Sequence, residues 1–219
     1  MLDGPRLSPF SGGPARSLVV ILHGYGADGA DLIELGRALA PAVPDAAFAA
    51  PNAPDVCEVW AEGRQWFPLT MRDPGEYWRG VVGARALLDA FLDAELERHD
   101  LGNARLALVG FSQGAMMALH TGLRRKEAVS GIVAYSGLLA GPQHLGEAGE
   151  ARPPILLVHG EEDDVVPPYH RGLAGQALSG AGYPVSSHGI EGLGHGIDPT
   201  GVQLGAAFLR KVFGETGGS

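Results

Sequence analysis

The sequence predicts an α/β fold in which helices cover both faces of a mostly parallel central sheet. Short apolar runs alternate along the chain with segments of helical periodicity, and glycine, proline or small polar residues separate them. This alternation is typical of parallel sheets, because the crossover between two parallel strands usually contains a helix. A chain of 219 residues suits one domain with a sizeable core.

The individual elements follow from the period of the apolar residues. Between residues 80 and 99, for example, one helical face is expected to carry Leu87, Leu88, Phe91, Leu92 and Leu96. We expect residues 1–16 to form an N-terminal extension and residues 214–219 a disordered tail of a single domain. The predicted strands are residues 18–22, 46–50, 105–109, 131–135, 155–159 and 185–190, and the predicted helices are residues 31–40, 80–99, 115–120, 169–181 and 200–213.

Composition and charge narrow the class of protein. The net charge of −9 argues against binding to nucleic acid or to an anionic membrane surface. No apolar run approaches the length of a membrane span, and the first residues lack the pattern of a signal peptide, so we expect a cytoplasmic protein without integral membrane association. A single cysteine, Cys57, excludes an internal disulfide, and no turn glycines mark it as a nucleophile.

A possible nucleophile lies at Ser112, in the pentapeptide Gly110-Phe111-Ser112-Gln113-Gly114. It matches the Gly-x-Ser-x-Gly nucleophile elbow, and it has the required context of a strand before it and a helix after it. The turn is so tight that only glycine fits two positions away on either side. A glycine-rich turn with a helix-capping serine would look the same, so the interpretation depends on partners for Ser112.

Two later loops supply such partners. An acidic loop, residues 161–164, and the glycine-flanked His195 each follow a predicted strand. A neutral imidazole can accept the serine proton, and a carboxylate can fix its tautomer. A solvated acidic turn and an isolated loop histidine are the alternatives, but the order of serine, acid and histidine is that of the α/β-hydrolases. The joint occurrence favours a catalytic triad.

The loop after the first strand, His23-Gly24-Tyr25-Gly26, lies where α/β-hydrolases supply one oxyanion-hole donor. The second donor comes from the residue after the nucleophile. We therefore predict that the backbone amides of Tyr25 and Gln113 bind the oxyanion. A plain tight turn is the alternative for this loop.

Taken together, these motifs resemble the phospholipase/carboxylesterase family of α/β-hydrolases, which includes the acyl-protein thioesterases and small bacterial carboxylesterases. The resemblance spans residues 18–213 and implies that Asp163 is the triad acid, with Asp164 as second choice. Tyr25 departs from the leucine of the eukaryotic thioesterases, and its ring is expected to narrow the pocket mouth. The motifs that carry the resemblance are residues 22–28, 50–54, 64–67, 110–115, 159–167 and 194–195.

The substrate pocket is predicted from aromatic residues in loops and from the lack of room for a cap domain. About 18 residues, 137–154, separate two predicted strands where other α/β-hydrolases insert a cap, so we expect no cap domain and an open site. Residues 56–78 hold all three tryptophans and favour an acyl-chain groove. Core packing is the alternative for Trp66 and Phe67, although the resemblance also places them beside the site. The predicted substrate-binding residues are Trp66, Phe67, Leu69 and Leu138.

We therefore expect a serine carboxylesterase that hydrolyses short- to medium-chain esters through an acyl-enzyme formed on Ser112. The substrate would be a small molecule, and neither a metal nor a cofactor is expected, since no metal-ligand spacing such as His-Glu-x-x-His occurs. An acyl-thioesterase or lysophospholipase on the same scaffold is the alternative, and a non-catalytic binding protein is a third. The resemblance allows a monomer or a homodimer.

Overall fold

The computed structural model describes residues 2–214 and contains a seven-stranded sheet flanked by helices. Three short 3-10 helices complete its regular structure, at Ala40–Ala42, Asn103–Arg105 and Pro142–Glu147. The strands within the described residues are β1 (Arg6–Leu7), β2 (Ser17–Leu22), β3 (Ala46–Ala49), β4 (Asp55–Val56), β5 (Arg64–Gln65), β6 (Leu106–Phe111), β7 (Gly131–Tyr135), β8 (Ile155–Gly160) and β9 (Val185–Ile190), and the helices are α1 (Gly29–Leu39), α2 (Pro74–Arg98), α3 (Gln113–Gly122), α4 (Tyr169–Gly180) and α5 (Pro199–Phe213).

The order of strands in the sheet is β1-β3-β2-β6-β7-β8-β9, and every adjacent pair except β1 and β3 is parallel. Leu22 at the end of β2 lies opposite Gly110 of β6. The loops after these two strands therefore emerge side by side at the carboxyl edge, where ligands bind in sheets of this kind. β9 is the edge strand opposite β1, and most of its side chains are exposed.

The core lies on both faces of the sheet, as β2 illustrates. Leu18 and Val20 pack in the cluster that includes residues of α2, α3 and α4, whereas Val19 and Ile21 pack with α1 and α5. Successive side chains of a strand point to opposite faces, so a strand that is apolar throughout must be covered on both. Each such side chain contributes about 1.5–3 kcal/mol when fully buried. The predicted α/β architecture is confirmed.

Helix α2 differs from its prediction because it begins at Pro74 rather than at residue 80. The side chain of Asp73 caps it by accepting a hydrogen bond from the Glu76 amide at 2.8 Å, and Pro74 occupies the first turn, where its missing N–H costs nothing. Trp78 therefore lies in a helix and not in the loop to which we assigned it.

The two ends of the chain and residues 137–154 can also be compared with their predictions. Arg6–Leu7, within the predicted N-terminal extension, forms the antiparallel edge strand beside β3. Of the predicted tail, residues 215–219 lie outside the described residues, and Gly214 ends α5 in a left-handed conformation. Residues 137–154 hold a single 3-10 helix and no folded cap. Within residues 2–214, every helix is too short or too polar to cross a membrane.

Candidate active site

Ser112 lies in the sharp turn that joins the central strand β6 to helix α3. Its backbone has φ 53° and ψ −115°, a conformation that residues other than glycine rarely adopt. A Cβ atom at Gly110 would collide with the Gly114 carbonyl, and one at Gly114 would collide with the Leu22 carbonyl. The two glycines are therefore required because strand, turn and helix pack backbone against backbone, and they leave Ser112 at the carboxyl edge with 9% of its surface exposed.

A continuous line of hydrogen bonds joins Ser112 to His195 and Asp163. His195 Nε2 lies 3.0 Å from Ser112 Oγ, and His195 Nδ1 lies 2.7 Å from Asp163 Oδ2. Since a carboxylate only accepts hydrogen bonds, Nδ1 carries the ring hydrogen and Nε2 is free to accept the serine proton. These three residues come from loops after β6, β8 and β9, and the parallel sheet brings the loops to one edge.

The carboxylate of Asp163 is buried and held from several sides. Its Oδ1 accepts hydrogen bonds from the amides of Val165 and Val166, at 2.9 and 2.8 Å. Burial alone would raise the pKa of Asp163, but the hydrogen bonds from His195 and the two amides outweigh it, and the pKa lies below its ordinary value. Asp163 is therefore ionised at neutral pH. Asp164, the second choice for the triad acid, is exposed to solvent.

The loop that carries His195 is fixed by contacts on both sides of the ring. The Phe111 ring lies 4.9 Å from the imidazole, centroid to centroid. Ser136 Oγ donates to the carbonyl of Gly196 at 3.3 Å, and the Glu162 amide donates to the carbonyl of Leu193 at 3.0 Å, so the loops of the acid and the histidine are tied together. The imidazole is thus oriented before any substrate arrives.

The two predicted oxyanion donors lie on either side of Ser112. Gln113 is the first residue of α3, so its amide has no carbonyl to pair with inside the helix. The Tyr25 amide donates to no backbone carbonyl of residues 2–214, and Tyr25 lines the same cavity as Ser112. Both amides are therefore available to a negatively charged oxygen, and the positive end of α3 reinforces that preference.

A network behind the oxyanion loop explains the position of Trp66 and Phe67. The side chain of Gln113 accepts from the Trp66 amide at 2.9 Å and donates to the Phe67 carbonyl at 2.8 Å, while Trp66 Nε1 donates to the His23 carbonyl at 3.0 Å. His23 is fully buried and accepts from the Ala53 amide at 2.9 Å. The Gln113 side chain thus holds the segment of Trp66 and Phe67 against the turn of Ser112, in addition to the role predicted for its amide.

The cavity at Ser112 includes two of the four predicted substrate-binding residues. It has a volume of about 230 Å³, and Leu69 and Leu138 line it. Trp66 and Phe67 do not, because they are only 1% and 4% exposed and pack in the core behind the oxyanion loop. For these two residues the prediction was wrong, and core packing, the alternative, describes their position.

Several residues around the site escaped the sequence analysis. His159 Nε2 donates to the Val166 carbonyl at 2.7 Å and lies 3.1 Å from Asp163 Oδ2, so it supports the acid. Arg72 lines the cavity from the segment before α2, and Glu76 in the first turn of α2 accepts a hydrogen bond from the Arg72 amide. His159 ends a predicted strand and begins one of the motifs that carry the resemblance, whereas nothing in the sequence marked Arg72 or Glu76.

Comparisons with known proteins agree with this architecture. The profile of the family described as Phospholipase/Carboxylesterase matches residues 10–213. The chain is similar to Esterase YpfH of Escherichia coli (strain K12), with 31% identity over 206 residues that cover 90% of this chain and 83% of that protein. It is 28% identical to Acyl-protein thioesterase 1 of Saccharomyces cerevisiae (strain ATCC 204508 / S288c) over 214 residues, which cover 90% and 93%. The solved structure of esterase PE8 superposes with a TM-score of 0.92 at 45% identity, covering 96% and 99%.

Proposed function

We propose, from the premise that this chain belongs to the phospholipase/carboxylesterase family, that Ser112, His195 and Asp163 form its catalytic triad. The chain is an ester hydrolase of the α/β-hydrolase class, like its named relatives. The observation that carries the assignment of residues is the hydrogen-bonded line from Asp163 Oδ2 through His195 to Ser112 Oγ, at 2.7 and 3.0 Å. Each group has the position that acyl transfer through a serine requires.

The reaction proceeds in two halves. Ser112 Oγ attacks the carbonyl carbon of the ester while His195 Nε2 takes its proton, and the alcohol then leaves with that proton. Water next attacks the acyl-enzyme while His195 takes its proton, and the bond to Ser112 Oγ then breaks as His195 returns the proton to the serine and the carboxylic acid is released. Throughout, ionised Asp163 stabilises the imidazolium and holds the ring so that Nε2 faces the serine.

The amides of Tyr25 and Gln113 bind the oxyanion of both tetrahedral intermediates in this proposal. Each such donor contributes roughly 3–4 kcal/mol to transition-state stabilisation in serine hydrolases. The rigidity of the loop is essential to this contribution, because the donors must already point at the position of the oxyanion. The bonds of the Gln113 side chain to Trp66 and Phe67 supply that rigidity.

The preferred substrates are carboxylic esters with short to medium acyl chains. The cavity at Ser112, about 230 Å³, is smaller than the roughly 300–1,000 Å³ that drug-sized ligands occupy, and the rings of Tyr25 and Tyr77 line it. A small, partly aromatic cavity suits a short acyl chain better than a long one. The cytoplasmic location and the monomeric or homodimeric state stay predictions from the sequence.

A second candidate is an acyl-thioesterase that acts on longer chains. A mostly apolar cavity of about 230 Å³ adjoins the first and shares Tyr77, Leu138 and His170 with it. If the side chain of Leu138 moves aside, the two cavities offer a longer acyl chain continuous apolar contact. Thioesterases among the relatives are consistent with this reading.

An acyl-length series tests both candidates. Rates are measured for nitrophenyl esters and matched thioesters from acetyl to dodecanoyl. The carboxylesterase predicts that kcat/KM is highest at short to medium length and for oxygen esters, whereas a thioesterase predicts a maximum at long chains and for thioesters. A Leu138→Trp variant blocks the passage between the cavities and should reduce activity on long chains selectively.

The catalytic proposal itself needs a direct readout at Ser112. A fluorophosphonate probe should label the protein stoichiometrically, and labelling should disappear in Ser112→Ala. Absence of labelling in the wild-type protein would favour a non-catalytic binding protein that keeps the fold.

A further inference from the structure

The cavity at Ser112 contains one lining side chain that always carries a positive charge, that of Arg72. Neither aspartate nor glutamate is among the residues that line it. Arg72 also forms no ion pair with a carboxylate of residues 2–214. Its position beside the proposed nucleophile makes the cavity locally attractive to anions.

The backbone of Arg72 is held in an unfavourable conformation by a dedicated anchor. Its φ is 53°, in the left-handed region that arginine rarely occupies. The amides of Thr70, Met71 and Arg72 all donate to the carboxylate of Glu76, at 2.9, 3.0 and 2.6 Å, and the Thr70 hydroxyl adds a fourth bond. Glu76 is almost completely buried at the start of α2. The arginine therefore extends from a rigid base.

Two tyrosines accompany Arg72 in the same cavity. Tyr25 and Tyr77 both line it, and both lie within electrostatic range of the guanidinium. Burial, followed by a hydrogen bond with Cys57, raises the pKa of Tyr25 to about 12, and burial also raises that of Tyr77. Both hydroxyls keep their protons at neutral pH, and to bind an anion the Tyr25 hydroxyl must exchange its bond with Cys57 for one to the ligand. A guanidinium with hydroxyl donors beside it is the chemistry that binds a carboxylate or a phosphate.

We propose that the cavity at Ser112 selects esters that carry a second, anionic group, which Arg72 binds together with the hydroxyls of Tyr25 and Tyr77. The inference rests on the proposed function for its catalytic part, since it names the substrate class of the same site. A carboxylate or phosphate at one end of the substrate would place the ester carbonyl over Ser112 and fix its orientation. Neutral esters of the same size lack this contact and bind less well.

Matched ester pairs test the preference, and they separate the two possible positions of the anion. On the acyl side, nitrophenyl hemiglutarate is compared with nitrophenyl pentanoate. On the alcohol side, butyrylglycerol phosphate is compared with butyrylglycerol. The measured quantity is the ratio of kcat/KM for the anionic ester to kcat/KM for its neutral partner. For at least one pair this ratio should fall about tenfold in Arg72→Gln, and in Arg72→Lys it should lie between the values of the wild type and Arg72→Gln.

A control variant and salt sharpen this test. Arg79→Gln removes an exposed arginine of α2 that does not line the cavity, and it should leave both ratios as in the wild type. Added salt should reduce the ratio of the wild type and have little effect on Arg72→Gln, because exposed charges are screened. Ratios that Arg72→Gln leaves unchanged for both pairs would overturn the proposal.

Binding without turnover separates this inference from the proposed function. Monomethyl glutarate is titrated calorimetrically into Ser112→Ala and into Ser112→Ala combined with Arg72→Gln. We expect about a tenfold weaker affinity in the double variant. Equal affinities overturn the role of Arg72 whatever the kinetics show. If the wild type hydrolyses none of the four esters, the proposed function fails, whereas this titration still decides whether Arg72 binds the anion.

Discussion

Ser112 follows β6 and Ser136 follows the neighbouring strand β7, and both adopt positive φ values, of 53° and 47°. Ser112 is 9% exposed and its hydroxyl lies beside the imidazole of His195. Ser136 is 1% exposed and its hydroxyl donates to the carbonyl of Gly196, the residue after the histidine. The two serines thus share residue type, strand end and conformation, but Ser112 presents its oxygen to the cavity and Ser136 supports the loop of His195.

The path of the chain after each serine explains the difference. After Ser112 the chain enters α3 at once, which places the hydroxyl beside the helix N-terminus. After Ser136 the chain passes against the elbow, where a Cβ at Gly137 would lie 2.5 Å from Ala115 and 3.0 Å from the Ser112 carbonyl. Backbone strain therefore identifies the region of the site, whereas the continuation of the chain decides which serine can react.

Substitution of Ser112 should have the largest effect of any change in the molecule. Ser112→Ala removes the nucleophile, and kcat should fall by a factor of about 10⁴–10⁶, with an unchanged melting temperature. Initial rates with nitrophenyl butyrate and thermal unfolding followed by circular dichroism measure the two quantities. A rate within about a hundredfold of the wild type would contradict the assignment of Ser112 as the nucleophile.

Asp163→Asn tests whether the reactivity of Ser112 depends on the whole line of hydrogen bonds. The amide loses the charge that stabilises the imidazolium and can hold the wrong tautomer, so we expect kcat to fall about 10⁴-fold. The matched control is Asp164→Asn, which changes the exposed neighbour and should be close to wild type. Equal losses in both variants would remove the distinction between the two aspartates.

Arg72 is a further strained residue, and Glu76→Gln shows what holds such a residue in place. The hydrogen bonds that Glu76 accepts outweigh its burial and lower its pKa from 4.5 to about 2, so the carboxylate stabilises the fold above about pH 4.5, and this contribution is lost as the pH falls towards 2. Urea unfolding should show Glu76→Gln to be less stable by about 2 kcal/mol at neutral pH, since an amide can satisfy fewer of the donors.

The pH dependence of that difference provides the check. The difference in unfolding free energy between the wild type and Glu76→Gln should narrow as the pH falls from about 4.5 towards 2, because over that range the unfolded chain binds a proton at Glu76 that the folded protein does not. Glu97→Gln, an exposed position on the same helix, is the control and should change stability by less than about 0.5 kcal/mol. If the difference in unfolding free energy between the two proteins stayed constant with pH, the charge of Glu76 would not be what stabilises the fold.

Ser136→Ala should have the smallest effect and so completes the comparison. Its bond to Gly196 is long, at 3.3 Å, and its loss should lower kcat about threefold and stability by about 1 kcal/mol or less. Rates and urea unfolding are measured beside those of Ser112→Ala. A fall in kcat of about a hundredfold or more would show that Ser136 controls the histidine far more strongly than its geometry indicates.

Sequence patterns predicted the layout of strands and helices well because burial on two faces leaves continuous apolar runs. β7, buried throughout, has the bounds that its apolar residues indicated, and β9 has its predicted bounds although most of its side chains are exposed. The start of α2 was misplaced, although Asp73 and Pro74 form a normal helix start, because the aromatic residues around them suggested a binding loop. β1 pairs through two residues, too few for any periodic signal.

The site shows a similar division between what a pattern can predict and what only packing decides. Ser112 and His195 stand among glycines, and that local requirement is visible in the sequence. Trp66 looks the same in a sequence whether it lines a cavity or fills the core, and the outcome depended on bonds to Gln113 and His23, which lie more than forty positions away. The positive φ of Arg72 likewise depends on Glu76, and no sequence motif predicts it.

The outer position of β9 has a consequence for how the protein loses its function. This exposed strand leads directly into the loop of His195, whereas Ser112 belongs to the centre of the sheet. Edge elements open locally at a smaller free-energy cost than buried ones. On mild heating, the base would therefore separate from the nucleophile while most of the molecule stays folded. Enzyme assays would then register the first step of melting several degrees before spectroscopy does, and cooling would restore the activity.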